Sequence, residues 1–360
     1  MHADFPPNDL DVPRLVAAER VVAVRGGGYF PVLVLLADGS LGAVVRGGAP
    51  HIGLGGRLDW IRSTDGGRTW SLPTILVDSE WDDRNPALGQ MDDGTIVCAY
   101  AEASTYNAAG QFDTTVGKYE CFYVLSSDSG ASWSVKQKPP VGPVVNGSPF
   151  GRIITLSDGT ALMPLYGGAA PGWTGDPPIA ADADALSTVL RSHDNGRTWG
   201  EQSVIATTGH NETSLLALSD ALVLAEVRTQ PAGAVDQFVS EDGGHTWGAP
   251  LTVTAPSQHP PDICRLQGGR LLLVHGNRRE PLGVGAVLSP DNGHTWDYAH
   301  RVMLGWDSLS GDCGYPSVVQ LPDGTVVVMY YSVGTQGEGP DEMALVVRFT
   351  EAQLLAAAGL

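Results

Sequence analysis

The sequence predicts an all-β protein folded as a six-bladed β-propeller, with four antiparallel strands in each blade. The first observation is an eight-residue motif that occurs five times: STDGGRTW at Ser63, SSDSGASW at Ser126, SHDNGRTW at Ser192, SEDGGHTW at Ser240 and SPDNGHTW at Ser289. The second is a strand hairpin that recurs between these motifs, and the third is the lack of a long amphipathic helical pattern. Together they favour one small β unit repeated around an axis over a parallel α/β sheet.

Each copy of the motif has the composition of a tight turn between two strands. Its aspartate can accept hydrogen bonds from backbone amides two or three residues further on, its glycine can adopt a positive φ, and its tryptophan can cover apolar surface. A calcium loop is excluded, because the alternating oxygen ligands and the closing glutamate of an EF-hand are missing from the sequence. We therefore predict a structural role for the motif.

The second repeat fixes the number of blades. An apolar run, a turn and a second apolar run recur six times, with turns at Asp38, Asp93, Asp158, Asp220, Gly268 and Asp323. Each such segment predicts a β-hairpin, and five of the six are followed by a motif turn. Six four-stranded units result, and the segment from Arg14 to Arg25 can supply the outer strand that closes the ring.

The whole chain, residues 1–360, is predicted to form a single domain, because no linker-like stretch or charge run divides the repeats. Residues 1–13 are expected to be a short N-terminal extension, and residues 350–360 a short C-terminal helix. The 46 glycines and 25 prolines suit a fold with many turns, and a hydrophobic content of 42% argues against disorder.

The net charge of −19 argues against nucleic acids and anionic membranes as partners, since both require a basic surface. The sequence leaves the oligomeric state open. The first twenty residues contain no apolar stretch preceded by lysine or arginine, so neither a signal peptide nor a membrane span is predicted. The chain as it stands is expected in the cytoplasm, or outside the cell if a leader has been removed.

The four cysteines are widely spaced and form no C-x-x-C pair, which disfavours a structural zinc site. Buried free thiols are the expectation for them. A disulfide bridge between Cys121 and Cys313 is the alternative that the sequence leaves open.

In a propeller the innermost strand of each blade starts near the central axis, so the residues that open these strands should surround one pocket. Counting eight residues back from each hairpin turn selects Phe30, Asn85, Phe150, Glu212, Pro260 and Tyr315. Their polar or ionisable neighbours include Tyr29, Asp83, Arg84, Asp262 and Asp312. Packing does not require such groups at these positions, which makes them candidates for function.

Glu212 and Tyr315 form the most specific candidate pair. A phenol has an ordinary pKa of about 10, but a carboxylate within hydrogen-bond reach can accept its proton and make it a nucleophile. An ordinary hydrogen bond between the two side chains is the structural alternative. Arg228, Arg278 and Arg279 follow nearby hairpins, and their guanidinium groups could bind the carboxylate of a substrate.

These segments resemble the sialidase (neuraminidase) superfamily over nearly the whole chain. The motif turns resemble its Asp-boxes, and NETSLLALSDALVLAEVR resembles a family segment that implies Glu212 as the base partner of the nucleophile and Arg228 as a carboxylate-binding arginine. GNRREPLGVGAVLSPDNGHTW implies another arginine of the family's triad at Arg279, or at Arg278 if the gap shifts. GYPSVVQLPDG resembles the strand opened by the nucleophilic tyrosine, which implies Tyr315.

The chain departs from the family pattern in its first blade. The family's Y-R-I-P segment carries the third arginine, whereas this chain has GGGYFPVL with Tyr29 in that place. The family's general-acid aspartate comes from the loop after the first hairpin, where this chain offers His51 and Arg57 without a clean match. One arginine and the acid therefore need replacements.

Two other segments supply candidates for these missing groups. In WDDRNPALGQ, Arg84 could replace the missing arginine and Asp83 could be the acid. Asp262, beside the start of the inner strand of blade five, is a further candidate for substrate binding.

The resemblance implies a retaining exo-α-glycosidase that removes a terminal acidic sugar, sialic acid or a related one, from a glycan or glycoside. Tyr315 is the expected nucleophile, Glu212 its base partner, and Asp83 or His51 the acid that protonates the leaving oxygen. No step requires a metal ion or an organic cofactor. Two alternatives remain: a hydrolase or lyase for another sugar, such as a uronic acid or a rhamnosyl group, and a carbohydrate-binding propeller without turnover.

Overall fold

A computed structural model of the chain describes residues 5–169 and 186–360. Within them, six β-sheets follow one another along the chain and are arranged as the blades of a propeller, which confirms the predicted fold class. Residues 1–4 of the predicted N-terminal extension lie outside the described residues. No helix among the described residues is long and apolar enough to cross a membrane.

The first three blades occupy the N-terminal half. The strand β1 (Glu19–Arg25) precedes blade one, which consists of β2 (Tyr29–Leu35), β3 (Leu41–Gly47), β4 (Arg57–Ser63) and β5 (Thr74–Val77). Blade two contains β6 (Asp82–Gln90), β7 (Ile96–Ala103) and β8 (Tyr119–Ser126), and a bridge between Tyr123 and Gln137 marks its outer edge. Blade three contains β9 (Val144–Pro149), β10 (Gly151–Arg152), β11 (Ile154–Thr155), β12 (Ala161–Ala169), β13 (Leu186–Ser192) and β14 (Gly200–Ala206).

The inner strand of blade three is divided into three short pieces. Of these, β9 and β11 pair with β12, whereas β10 pairs in parallel with β6 of blade two. This piece links the inner strands of two neighbouring blades near the axis.

The last three blades are more regular. Blade four consists of β15 (His210–Ala217), β16 (Val223–Thr229), β17 (Val235–Ser240) and β18 (Leu251–Thr252). Blade five consists of β19 (Gln258–Arg265), β20 (Leu271–Asn277), β21 (Gly283–Ser289) and, after a 3-10 turn at Tyr298–His300, β22 (Val302–Gly305). Blade six contains β23 (Cys313–Gln320), β24 (Thr325–Thr335) and β25 (Gly339–Thr350), followed by the helix α1 (Glu351–Ala358).

The N-terminal strand closes the ring. β1 pairs antiparallel with β25, from Glu19 opposite Arg348 to Arg25 opposite Met343, and so completes blade six as its outermost strand. Both ends of the chain thus contribute to one blade, which removes the free edge that an open ring of blades would leave.

The five motif turns share one hydrogen-bond pattern, which explains the repeated sequence. In the first, the Gly67 amide donates to the Ser63 hydroxyl at 2.8 Å, while the Thr69 amide and hydroxyl donate to the Asp65 carboxylate at 2.9 and 2.6 Å. The hydrogen bond from the Thr69 hydroxyl is the main reason that the pKa of Asp65 falls to about 2. The aspartate therefore organises the turn and is not free to bind a ligand.

The apolar core lies between adjacent blades. One cluster of buried side chains joins blades five and six and includes Leu272, Val274, Val328 and Leu345. All four cysteines are buried free thiols, so the alternative of a bridge between Cys121 and Cys313 is wrong. Stable packing between blades holds the inner strands in fixed positions around the axis.

Candidate active site

A bulge repeated at the start of the inner strands shapes the centre of the molecule. In β2, β6, β15, β19 and β23 the pairing register shifts near the position chosen by the count from the hairpin turn. Phe30, Asn85 and Tyr315 occupy this position with φ angles of 51°, 53° and 50°. Bulges redirect side chains, and a positive φ on a bulky residue is costly unless its surroundings hold it in place.

Tyr315 and Glu212 meet in the centre. The Tyr315 hydroxyl donates to Oε1 of Glu212 at 2.5 Å, and both residues are almost fully buried. Arg228 donates from Nη1 to Oε2 of the same carboxylate at 2.7 Å and lies 3.4 Å from the Tyr315 oxygen. A phenol, a carboxylate and a guanidinium group from blades four and six thus form one continuous cluster.

The environment keeps the Tyr315 phenol protonated at rest. Burial is the main cause that raises its pKa above the ordinary value, and the negative charge of Glu212 raises it further. Arg228 and Arg278 act in the opposite direction. A nucleophilic role therefore requires that the proton move to Glu212 as the oxygen attacks, not that a phenolate exist beforehand.

The two adjacent arginines of blade five point to different places. The Arg278 guanidinium lies 5.5 Å from the centre of the Tyr315 ring, and its Nε donates to the Cys313 carbonyl. Arg279 instead pairs with the fully buried carboxylate of Asp9 at 3.2 Å and donates to the Pro6 carbonyl. Both residues follow β20 in the turn to β21, and of the two predicted positions Arg278, not Arg279, lies beside Tyr315.

Tyr315 and Glu212 line a cavity of about 480 Å³, here called the first cavity. Its wall from blades two and three is polar: Asn85 donates to the Ser148 hydroxyl at 2.9 Å and to the Tyr166 hydroxyl at 2.8 Å. Other residues in the wall are Arg84, Thr105, Thr114, Tyr119, Asn146, Asn211 and Gln230. The cavity is large enough and polar enough to take a monosaccharide.

Arg84 brings a third cation to this region. Its guanidinium lies 5.5 Å from the centre of the Phe30 ring, and Nη1 pairs with Asp82 at 3.2 Å. Its Nε is buried without a hydrogen-bond partner among the described residues. Phe30 and Arg84 together thus occupy part of the space near Tyr315 at the mouths of blades one and two.

His51 lies beside a second cavity, of about 560 Å³, which is lined by Tyr29, Pro50, His51, Ile52, Arg278, Gly311, Asp312, Val333 and Glu342. Its Nδ1 is 2.6 Å from Oδ1 of Asp312, and the Tyr331 hydroxyl donates to the same oxygen at 2.6 Å. Burial raises the pKa of Asp312, but the hydrogen bonds from His51 and Tyr331 outweigh it, so the net pKa is lowered. A carboxylate that is ionised at neutral pH therefore orients the imidazole.

Three predicted site residues lie away from both cavities. Asp83 is fully buried and accepts hydrogen bonds from the amide and hydroxyl of Ser79 at 2.7 and 2.8 Å; burial raises its pKa to about 6. Asp262 accepts from the Val318 amide at 2.7 Å, and Arg57 pairs with its strand neighbour Asp59 at 2.9 Å. Their positions do not support the predicted roles.

Asp262 has a different position from the one expected. Besides the Val318 amide it binds Ser214, Arg152 at 3.1 Å and Ser317 at 3.2 Å. These partners come from the inner strands of blades three, four and six. The carboxylate thus holds inner strands together along the axis, where burial without such partners would be costly.

Asp312 was predicted only as one of several candidates beside the inner strands, and no role was predicted for Tyr331 or for the loop of residues 104–118. Asp312 and Tyr331 become specific candidates for the site only through their contacts with His51, which is distant from both in the sequence. The loop contributes Thr105 and Thr114 to the first cavity, and Tyr106 within it donates to Asp82 at 2.6 Å. The longer spacing from Asp93 to Ser126 than from Asp38 to Ser63 is a usable sequence signal for it.

The described residues contain no group of three or more histidine, cysteine, aspartate or glutamate side chains arranged to hold a metal ion. The chemistry that the geometry offers is instead proton transfer and anion binding. Among the described residues, four phenols, the three carboxylates of Glu212, Asp312 and Glu342, the imidazole of His51 and two arginines lie in the linings of the two cavities, and Arg228 lies beside them.

A family model described as a BNR repeat-like domain matches residues 60–328. The chain belongs to this family of propellers. It is a member of the sialidase superfamily, since its sequence relatives include a sialidase of Micromonospora viridifaciens, 26% identical over 346 residues, and one of Paraclostridium sordellii, 25% identical over 313 residues. The match with the Micromonospora protein covers 87% of this chain and 52% of that protein, so the chain spans about half the length of this relative. The match with the Paraclostridium protein covers 78% of this chain and 72% of that protein.

Solved structures give the same picture of the fold. A protein of unknown function from Dyadobacter fermentans superimposes with a TM-score of 0.77 at 25% identity, covering 92% of this chain and 98% of that one. The intramolecular trans-sialidase from Ruminococcus gnavus gives a TM-score of 0.69 at 15% identity, covering 94% and 98%. At this level of identity the second likeness shows the fold alone.

Proposed function

We propose that the protein is a retaining exo-α-glycosidase that removes a terminal acidic sugar of the sialic acid type. The observation that carries the proposal is the contact of the Tyr315 hydroxyl with the Glu212 carboxylate, with Arg228 and Arg278 on either side of the phenol. The names of the sequence relatives support the same class of substrate.

In the first step the Tyr315 oxygen attacks the anomeric carbon of the sugar. The phenol proton passes to Glu212, a new bond forms between the Tyr315 oxygen and the carbon, and the bond to the leaving oxygen breaks. A phenol suits a substrate that carries its own carboxylate, because an anionic nucleophile would be repelled by that charge. Glu212 remains in place through its bond to Arg228.

The two arginines beside Tyr315 would bind the carboxylate of the sugar. Arg228 contacts the Tyr315 oxygen from the side of blade four, and Arg278 lies over the ring from blade five. Guanidinium groups bind carboxylates through paired, charge-assisted hydrogen bonds and keep their charge at any working pH. Two of them fix the sugar with its anomeric carbon near the phenol oxygen.

His51 takes the role of the acid in this proposal, since Asp83 faces Ser79 and lies outside both cavities. As an imidazolium, with Nδ1–H donating to Asp312, it would give its Nε2 proton to the departing oxygen, and the neutral imidazole that remains would then remove a proton from the water that hydrolyses the sugar–tyrosine bond. In that second step the proton on Glu212 returns to the Tyr315 oxygen. Neither step calls for a metal ion or an organic cofactor.

The test is the Tyr315→Phe variant, assayed with a panel of fluorogenic glycosides of acidic and neutral sugars. Tyr330→Phe is the matched control, because Tyr330 is equally buried in blade six but donates to no group of the site. We expect Tyr315→Phe to lose hydrolysis while still binding the sugar, and Tyr330→Phe to retain it. Unchanged turnover in Tyr315→Phe would remove Tyr315 as the nucleophile, and a parent protein that binds sugars without turnover would be a carbohydrate-binding propeller.

A second candidate is a lyase acting on a uronic acid, and one observation favours it. His51, Tyr331 and Arg278 lie near one another, and together they offer a base, an acid and a cation to neutralise the uronate carboxylate. Elimination would abstract the proton next to that carboxylate, break the bond from the adjacent carbon to the glycosidic oxygen, which takes a proton from the acid, and leave an alkene conjugated with the carboxylate. Ultraviolet absorbance of the product on polysaccharides that contain uronic acids separates this reaction from hydrolysis.

A further inference from the structure

The two cavities flank the same set of aromatic rings but share no lining residue. Tyr315 lines the first, and Arg278, which lies 5.5 Å from its ring centre, lines the second. The Phe30 ring lies 4.8 Å from both the Tyr315 ring and the His51 ring, and so forms part of the boundary. Tyr315, the proposed nucleophile, thus lines the first cavity, and His51, the proposed acid, lines the second.

His51 is held so that one edge of its ring faces away from its partners. Its side-chain hydrogen bonds within the described residues, to Asp312 and Tyr331, both involve Nδ1. The side chain is 28% exposed and lines the second cavity, and no hydrogen bond of Nε2 is found among the described residues. When Nδ1–H donates to a carboxylate, Nε2 is the nitrogen that can give a proton to a ligand in the imidazolium form and accept one in the neutral form.

The rest of the second cavity has an apolar wall and an acidic rim. Pro50, Ile52 and Val333 supply the apolar surface, and Ile52 is 47% exposed although it is a large aliphatic side chain. Asp312 and Glu342 supply two carboxylates, and no ion pair of Glu342 is found among the described residues. Arg278 is the single permanent cation in the lining, at the side nearest Tyr315.

We propose that the second cavity binds the leaving group of the glycoside, and that it selects a leaving group with an apolar body and no negative charge. The inference rests on the proposed function, in which Tyr315 of the first cavity attacks the sugar, Arg278 at the side of the second cavity nearest Tyr315 binds the sugar carboxylate, and His51 protonates the leaving oxygen. The apolar wall gains from covering a ring or alkyl chain, whereas the two carboxylates repel an anionic group.

The first experiment compares Ile52→Ser with Leu54→Ser on two glycosides of the same sugar, one with a bulky aromatic leaving group and one with methanol. Leu54 is 42% exposed in the same loop but does not line the cavity, so it is a matched control. We expect Ile52→Ser to reduce the ratio of kcat/KM for the aromatic glycoside to kcat/KM for the methyl glycoside about three- to tenfold, and Leu54→Ser to keep the wild-type ratio. Equal behaviour of the two variants on both glycosides would overturn the inference.

The second experiment varies the charge of the leaving group. Aryl glycosides that carry a carboxylate or an ammonium group at the same ring position are compared with wild type, Glu342→Gln and the neighbouring exposed control Asp341→Asn. Wild type should prefer the ammonium compound, and Glu342→Gln should reduce that preference about two- to fivefold, as expected for a partly exposed charge. Faster hydrolysis of the carboxylate compound by wild type, or an equal effect of Asp341→Asn, would contradict the proposal.

These experiments distinguish failure of the leaving-group site from failure of the proposed glycosidase function. Hydrolysis that does not respond to Ile52 or Glu342 would overturn the leaving-group site alone and leave the glycosidase intact. Absence of hydrolysis with every glycoside in wild type would overturn the proposed function and this inference with it.

Discussion

Replacing Glu212 by glutamine is predicted to change both the rate and its dependence on pH. Glu212 is the acceptor of the Tyr315 proton at 2.5 Å and the partner of Arg228 at 2.7 Å. Loss of a positioned base costs about 10²- to 10⁴-fold in kcat, or roughly 3 to 5 kcal/mol of activation free energy. Arg228 also loses its carboxylate, but its side chain is 19% exposed, so we expect a loss of stability of about 3 kcal/mol or less.

The pH dependence gives this prediction its specificity. Burial raises the pKa of Tyr315 first, Glu212 raises it further, and Arg228 and Arg278 lower it. Removing the charge of Glu212 therefore lowers the pKa of the phenol relative to wild type. At neutral pH the variant should be nearly inactive, and its kcat should rise with increasing pH as the phenolate forms without help from a base.

The assay is kcat for a fluorogenic acidic glycoside across pH, with circular dichroism at each pH to confirm that the protein stays folded. The double variant Glu212→Gln/Tyr315→Phe is the control, because it has no phenol to ionise. Wild-type kcat in Glu212→Gln at neutral pH would refute the role of Glu212, and alkaline activity that survives in the double variant would refute the role of Tyr315.

Three further predictions concern charged groups around the site and in the core. Arg278→Gln should raise KM for an acidic glycoside about 10- to 100-fold, because a paired hydrogen bond to the substrate carboxylate is lost; steady-state kinetics measure it. Arg279→Gln should leave KM unchanged and lower the free energy of unfolding by about 1 to 3 kcal/mol, since Asp9 is fully buried and loses one of its cationic partners; chemical denaturation tests this. Burial raises the pKa of Glu226 to about 8. The free energy of unfolding should therefore fall by about 1.4 kcal/mol per pH unit as pH rises from about 4.5 to about 8. Glu226→Gln should abolish this contribution to the pH dependence of the free energy of unfolding.

The free energy of unfolding falls with rising pH because Glu226 binds its proton more tightly in the folded protein than in the unfolded chain. The folded state holds the proton up to a higher pH than the unfolded chain does, so the stability that this group contributes is complete below about pH 4.5 and is lost as pH rises through about 8. Both of its oxygens lack a hydrogen-bond partner among the described residues, which agrees with a neutral carboxyl group in the core. A slope that is the same in Glu226→Gln would contradict this assignment.

The fold was predictable because its signals are local. The turn around Asp65 needs only the side chains within eight residues of it, and each hairpin is encoded by alternating apolar residues on both sides of one turn. The closing strand β1 was also within reach, since its apolar run had no other partner. The broken inner strand of blade three was not, because the parallel pairing of β10 with β6 depends on contacts between blades.

The centre of the site was predictable only in part. A count along the strands selected Tyr315 and Glu212, and the structure brings them into contact. The same count placed Asp83 and Asp262 near the pocket, yet their side chains face Ser79 and the inner strands of other blades. The count fixes where a strand begins, but bulges and the alternation of side chains decide which residues face the cavity.

The choice between Arg278 and Arg279 illustrates this limit. Both arginines lie in the turn after β20, and Arg279 is turned away from Tyr315 by its contacts with Asp9 and Pro6, which are distant in the sequence. The partner of His51 was hidden for another reason. Asp312 precedes β23 in blade six and His51 lies in a loop of blade one, so only the closed ring brings them to 2.6 Å.

The central claim is that the Tyr315 oxygen forms a covalent bond with the sugar. The most direct measurement is mass spectrometry of the protein and its peptides after reaction with an activated acidic glycosyl fluoride that carries a second fluorine beside the anomeric carbon, which slows both steps. We expect one sugar per chain, attached to the peptide that contains Tyr315 and absent from Tyr315→Phe. A sugar attached to another residue, or hydrolysis with inverted configuration and no adduct, would contradict it.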